Sequence, residues 1–143
     1  MGLQISKLLV SDMKEGEKFS FEEILSDEKI NQFASLTGDF SPLHMNEGFA
    51  QSRQFKGRVV HGVLLAGLFS RLVGMHFPGE NAILQSLNMQ FVAPAYVKNC
   101  LRVSATVDQV SGATKTVVLK AIIERVPAHE ILVRAKIQIG FTN

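Results

Sequence analysis

Asp39 and His44 sit five residues apart on Asp-Phe-Ser-Pro-Leu-His. A carboxylate and an imidazole within reach of one water can share the work of taking a proton from that water and giving one to carbon. The spacing alone is a cheap pattern. With four aspartates and four histidines in the chain, chance supplies such a pair in about one chain in ten. The alternative is that Asp39 caps the loop and His44 occupies a surface turn.

A second candidate is His61-Gly62, which opens a long apolar run. The first N–H groups of a helix lack internal partners and lie at the positive end of its dipole. A glycine there lets a carbonyl approach the backbone closely, as in an oxyanion hole. Gly62 equally well relieves crowding between helix and sheet. Ser70 lies two turns further on, in line with Ala66 and Gly74, so one side of the helix is a stripe of small residues. Such a stripe is expected to pack closely on a sheet; the other reading is a slot for a ligand chain. Arg53, Lys56 and Arg58 form a basic cluster just ahead of this helix, either a solvated loop or a positive rim for a phosphate-bearing ligand.

Other signatures are absent. The sequence has no Gly-x-Ser-x-Gly elbow, phosphate loop or dinucleotide fingerprint, and no two histidines at metal-ligand spacing. No metal and no separate cofactor are expected.

These residues need a scaffold, and the chain is long enough for one. At 143 residues, 46% hydrophobic and 20% charged, it reads as a single globular domain over 1–143. The net charge of +2 shows no basic stripe, so neither nucleic acid nor a membrane surface is an expected partner. The run from Val59 to Phe77 is interrupted by His61, Ser70, Arg71, His76 and glycines at 62, 67 and 74, which suits a buried helix better than a membrane span. One cysteine, Cys100, expected to be a small core residue, and the lack of a charged-then-apolar leader point to a reducing cytoplasm.

The first 25 residues, with Phe19 and Phe21 alternating, read as an edge strand or lead-in. Ser26 as N-cap, acidic Asp27 and Glu28, apolar residues at helical spacing and Gly38 as the stop predict a helix of about three turns. Pro42 then breaks the helical run into an ordered loop, followed by a polar-to-basic stretch from Asn46 to Arg58. Val59 to Gly74 is apolar on nearly every side and so belongs in the middle of the fold. Beyond it the period changes to two. Leu87–Phe91, Leu101–Val107, Val117–Glu124 and Ile131–Ile139 predict four strands in an antiparallel meander, with turns at Ser111-Gly112 and Val126-Pro127-Ala128. Only the Val59–Gly74 helix is long and apolar enough to cover that sheet. The expected class is α+β: a hot-dog fold, a curved antiparallel sheet wrapped around one central apolar helix.

Gly38-Asp39-Phe40-Ser41-Pro42-Leu43-His44, followed by Val60-His61-Gly62-Val63-Leu64-Leu65-Ala66 and Leu68-Phe69-Ser70, resembles the MaoC-like (R)-specific enoyl-CoA hydratases in their short single-domain form. The likeness runs from about Ile24 to the C-terminus. It implies that Asp39 and His44 are the acid/base pair, that Gly62 supplies the oxyanion-hole N–H, and that Ser70, Ser41 and His61 bind substrate or support the site. The family usually has Asn where this chain has Ser41. The implied reaction adds water to a trans-2-enoyl thioester to give the (R)-3-hydroxyacyl thioester, or the reverse, in fatty acid metabolism. Coenzyme A enters only as part of the substrate, its phosphates facing Arg53, Lys56 and Arg58. Alternatives are a dehydratase acting on acyl-carrier-protein thioesters and a non-catalytic acyl-thioester-binding module. A relative placing its catalytic acid on the central helix is disfavoured, since no Asp or Glu occurs from Val60 to Gly74. An unpaired sheet edge predicts a homodimer.

Overall fold

The structure, a computed structural model, describes residues 2–143. Five strands form one antiparallel sheet: β1 (Lys18–Ile24), β2 (Ala82–Phe91), β3 (Cys100–Ser111), β4 (Thr116–Arg125) and β5 (Glu130–Phe141). Their spatial order is β1-β3-β4-β5-β2. The expected meander therefore holds for β3, β4 and β5 only. The strand β2 lies at the far edge against β5, with Leu87 opposite Ile137 and Phe91 opposite Val133. The segment after β2 carries the chain back across the fold to β3, which pairs with β1 as well as β4. Residues 18–24 thus form the other edge, as their alternation suggested.

Alternation dictates the core. Leu101, Val103 and Val107 of β3, Val117, Leu119 and Ile123 of β4, and Val133, Ile137 and Ile139 of β5 are buried along one face. The helix α1 (Asp27–Thr37) begins at the Ser26 cap, whose hydroxyl accepts from the Lys29 N–H, and ends at Gly38 with φ 80°. It buries Ile30 and Ala34. Pro42 does not leave a loop: it occupies the first turn of a short helix, α2 (Pro42–Met45), where a missing N–H costs nothing. The polar stretch after it contains α3 (Glu47–Ser52), capped by Asn46 accepting from the Phe49 N–H.

The central helix is shorter than its apolar run. Val59 pairs with Tyr96 in an isolated bridge and the Val60 N–H bonds to the Ala95 carbonyl, so these residues are extended. The helix α4 spans Gly62–Arg71 and continues as a π-helical turn, Leu72–His76. Leu65, Leu68, Phe69, Leu72 and Val73 are buried, a spacing of one helical face. The opposite face is open: Val63 is 71% exposed, and Gly67, Ser70 and Gly74 are exposed too. The stripe of small residues expected to pack on the sheet therefore faces outward beyond Ala66. A Cβ placed on Gly67 or Gly74 would meet nothing within 4 Å. Cys100 is half-buried at the start of β3 rather than in the core. No helix among the described residues is long and apolar enough to cross a membrane.

Phe69 is wholly buried on α4, inside the curve of the sheet. Phe69→Ala should lower unfolding stability by about 3–5 kcal/mol, measured by urea denaturation. A loss below about 1 kcal/mol would show that α4 does not anchor the core as described.

Candidate active site

The helix α1 delivers Asp39 directly after its glycine stop. The Thr37 hydroxyl donates to the Phe33 carbonyl and accepts from the Asp39 N–H at 3.3 Å, which shapes the exit. Asp39 then folds its own carboxylate over the turn, Oδ1 accepting from the Ser41 N–H at 3.1 Å. Its other oxygen, Oδ2, stands 3.9 Å from Nε2 of His44 on α2. That gap is too long for a direct hydrogen bond, yet a water or hydroxyl between the two atoms can bond both. The carboxylate is half-exposed and the imidazole largely covered, with side-chain exposures of 47% and 16%.

The imidazole is oriented from behind. Nδ1 of His44 lies 2.7 Å from the Val59 carbonyl, and because a carbonyl only accepts, Nδ1 carries the proton. In the neutral ring Nε2, the atom facing Asp39, is then a lone pair ready to accept one. Three more bonds join the two segments: the Val59 N–H to the Leu43 carbonyl, Arg58 Nε to the His44 carbonyl at 2.6 Å, and His61 Nε2 to the Asp39 carbonyl at 3.0 Å. His61, 1% exposed, stacks on His44 with ring centroids 4.1 Å apart and packs at a tilt against Phe33, centroids 4.8 Å apart. Desolvation holds its pKa below the usual histidine value, against the Asp39 carbonyl, which favours protonation. A neutral His61 thus donates to the Asp39 carbonyl without placing a cation against His44.

His44 opens onto a cavity of about 320 Å³ lined also by Val59, Val60, Gly62, Leu65 and the Phe91–Ala95 segment, and Asp39 stands behind it, outside the lining. Gly62 is the first residue of α4, so its N–H is one of the donors that the helix cannot satisfy. A Cβ on Gly62 would sit 3.0 Å from the Phe91 ring. The glycine therefore admits a tightly packed ring and places the start of α4 at the cavity wall. A larger cleft, about 600 Å³, is lined by Lys18, Lys120, Arg134, Lys136 and neighbours on the sheet; no residue of the acid/base loop lines it.

Other expected site residues fall differently. Ser41 contributes its main-chain N–H to Asp39, and its hydroxyl makes no cap. Ser70 is exposed on α4 and lines no part of the smaller cavity. Of the basic cluster, Arg53 is exposed with its guanidinium over the Phe49 ring, and Lys56 is exposed. Arg58 corrects the expectation of a three-residue rim. Its guanidinium turns inward, bonding Asp27 at 3.0 Å, Asn31 at 2.9 Å and, through Nε, the His44 carbonyl, so it clamps the loop to α1. Charge was visible in the sequence; these distant partners were not.

The fold also brings together histidines that lie apart in sequence. Ligand atoms of Asp39, His44 and His61 fall within 4.8 Å of one another. Each imidazole, however, already bonds a main-chain carbonyl through one nitrogen, and the other nitrogen of His61 is sealed from solvent. Without breaking these bonds, the cluster offers a cation one imidazole nitrogen and one carboxylate, a weaker set than the three or four ligands usual for zinc.

Comparison with known proteins agrees with this geometry. Residues 10–126 match the model of the MaoC like domain. The chain is 38% identical over 96 residues to an (R)-specific enoyl-CoA hydratase of Rhodospirillum rubrum, covering 67% of each chain. It is 37% identical over 82 residues to the (R)-specific enoyl-CoA hydratase of Aeromonas caviae, covering 57% of this chain and 61% of that one. The aligned stretches thus span about two thirds or less of these relatives. In structure it is similar to the (R)-hydratase from A. caviae, with a TM-score of 0.85 at 26% identity over 90% of this chain and 97% of that one. With a domain-length family match, the hot-dog fold and an Asp/His loop held against the start of the central helix, the chain belongs to the MaoC-like family.

Proposed function

We propose that this protein hydrates trans-2-enoyl-CoA thioesters to (R)-3-hydroxyacyl-CoA, or catalyses the reverse dehydration. The observation that carries the reading is the pair Asp39 Oδ2 and His44 Nε2, 3.9 Å apart, with His44 in the wall of a cavity that Gly62, the first residue of α4, also lines. A water held between the two side chains gives a proton to His44 Nε2 as its oxygen bonds to C3. Electrons of the double bond move toward the thioester carbonyl, whose oxygen accepts from the Gly62 N–H. The pair returns one proton to C2. The elements of water are then added and both residues regain their starting states. The apolar walls suit an acyl chain, while Arg53 and Lys56 remain the exposed cations for the CoA phosphates. A carrier-protein thioester is the runner-up substrate. The reaction belongs to fatty acid metabolism, and one free thiol, Cys100, fits a cytoplasmic enzyme.

The active form is a homodimer. The free edge of β2 exposes Ile83 (53%) and Leu84 (39%), and the outer face of α4 exposes Val63. A second copy covers both by symmetric contact. Size-exclusion chromatography with light scattering should give twice the chain mass at micromolar concentration; a stable monomer would overturn this.

Asp39→Asn and His44→Gln should each lower kcat on crotonyl-CoA by roughly 10²-fold or more, with the double variant little worse than the worse single one. Near wild-type turnover by either folded variant would remove the pair from the mechanism. The stereochemical assignment has its own test: the product coupled to an (S)-specific 3-hydroxyacyl dehydrogenase should give no signal. A coupled reaction that runs to completion would reverse it.

A further inference from the structure

Phe91 is the one phenyl ring in the wall of the cavity that His44 and Gly62 line. Its backbone lies in register with Val133, which is fully buried, yet Phe91 itself is 58% exposed. The reason is its place at the end of the edge strand β2, where no further strand covers it. The ring lies instead against Gly62, with Cε1 and Cζ both 3.0 Å from where a Cβ would stand. Apart from the smaller imidazole of His44, the rest of the wall is aliphatic: Val59, Val60, Leu65, Val92 and the Ala93–Ala95 segment. The widest group bounding the space beside the Gly62 N–H is therefore this ring.

We infer that Phe91 is a specificity-determining residue that restricts the enzyme to thioesters unbranched at the α-carbon. The inference rests on the hydratase reading. When a thioester oxygen accepts from the Gly62 N–H, both sulfur and the α-carbon are two bonds from that oxygen, and in this proposal the α-carbon takes the side of Gly62 where the Phe91 ring lies. A hydrogen on that carbon fits. A methyl group competes for volume that the ring fills, and the ring can make room only by giving up its close approach to Gly62. One carbon more or less in an apolar pocket changes kcat/KM by roughly 10- to 200-fold. Selection by this ring acts near the reacting carbons, so it leaves the distal acyl chain unrestricted.

The test compares crotonyl-CoA with 2-methylcrotonyl-CoA in the wild type, Phe91→Ala and Phe91→Leu. Taking the ratio of kcat/KM values within each protein and then comparing proteins cancels the lower intrinsic reactivity of the branched substrate. The preference for crotonyl-CoA should fall about tenfold or more in Phe91→Ala and by less in Phe91→Leu, the variant that best preserves packing. In parallel, calorimetric titration with butyryl-CoA and 2-methylbutyryl-CoA reads the same discrimination without turnover. A wild type that binds these thioesters but does not hydrate crotonyl-CoA defeats the hydratase reading, and the titrations then decide the role of Phe91 alone. Equal loss on both substrates, or unchanged ratios in both folded variants and in the titrations, would overturn the proposal.

Discussion

The site depends on one hydrogen bond, from His44 Nδ1 to the Val59 carbonyl at 2.7 Å. It decides which ring nitrogen carries the proton, and so which one faces Asp39 as a base. A neutral histidine free to choose its tautomer would spend part of its time with the wrong nitrogen protonated. A main-chain acceptor removes that freedom without placing a second charge behind the ring. Everything around the bond keeps its two ends in place. Arg58 ties the His44 carbonyl to Asp27 and Asn31 of α1, while His61 ties the Asp39 carbonyl to the start of α4.

Val59 can serve as that acceptor only because it is not helical. Its bridge to Tyr96, and the bond from Val60 to Ala95, hold the chain extended up to His61. The helix therefore starts at Gly62, beside the acid/base pair rather than a turn before it. The buried face of α4 then fixes the depth of that start against the sheet through Leu65, Phe69 and Leu72. Fold and chemistry meet at this seam, where a shift of one residue in the helix start would move the free N–H away from the cavity.

Features set by nearby residues were legible in the sequence. The caps of α1 at Ser26 and Gly38, and the alternation of β3, β4 and β5, require only local chemistry. The placement of β2 against β5 was not legible, because its register is set by partners some fifty residues away. The helix α3 did leave a local signal, Asn46 followed by Glu47, masked by the polarity of the stretch. Asp39, His44 and Gly62 stand out by their spacing and their family likeness; His44 and Gly62 line one cavity, and Asp39 reaches it only through His44. Arg58 and His61 acquire their partners only through tertiary contacts, so charge alone suggested a phosphate rim for a side chain that is turned inward. Ser70, placed near the chemistry by likeness, lies on the open face of α4, the face where the proposed second copy would sit.

Addition of one water across an enoyl double bond by Asp39 and His44, as proposed, is read most directly from the reaction of crotonyl-CoA with the wild-type protein in deuterated water, followed by proton NMR. The expected product is a 3-hydroxybutyryl thioester bearing a single deuterium at C2, on one face only, with the thioester intact. Release of free coenzyme A, or recovery of unchanged crotonyl-CoA at high enzyme concentration, would contradict it.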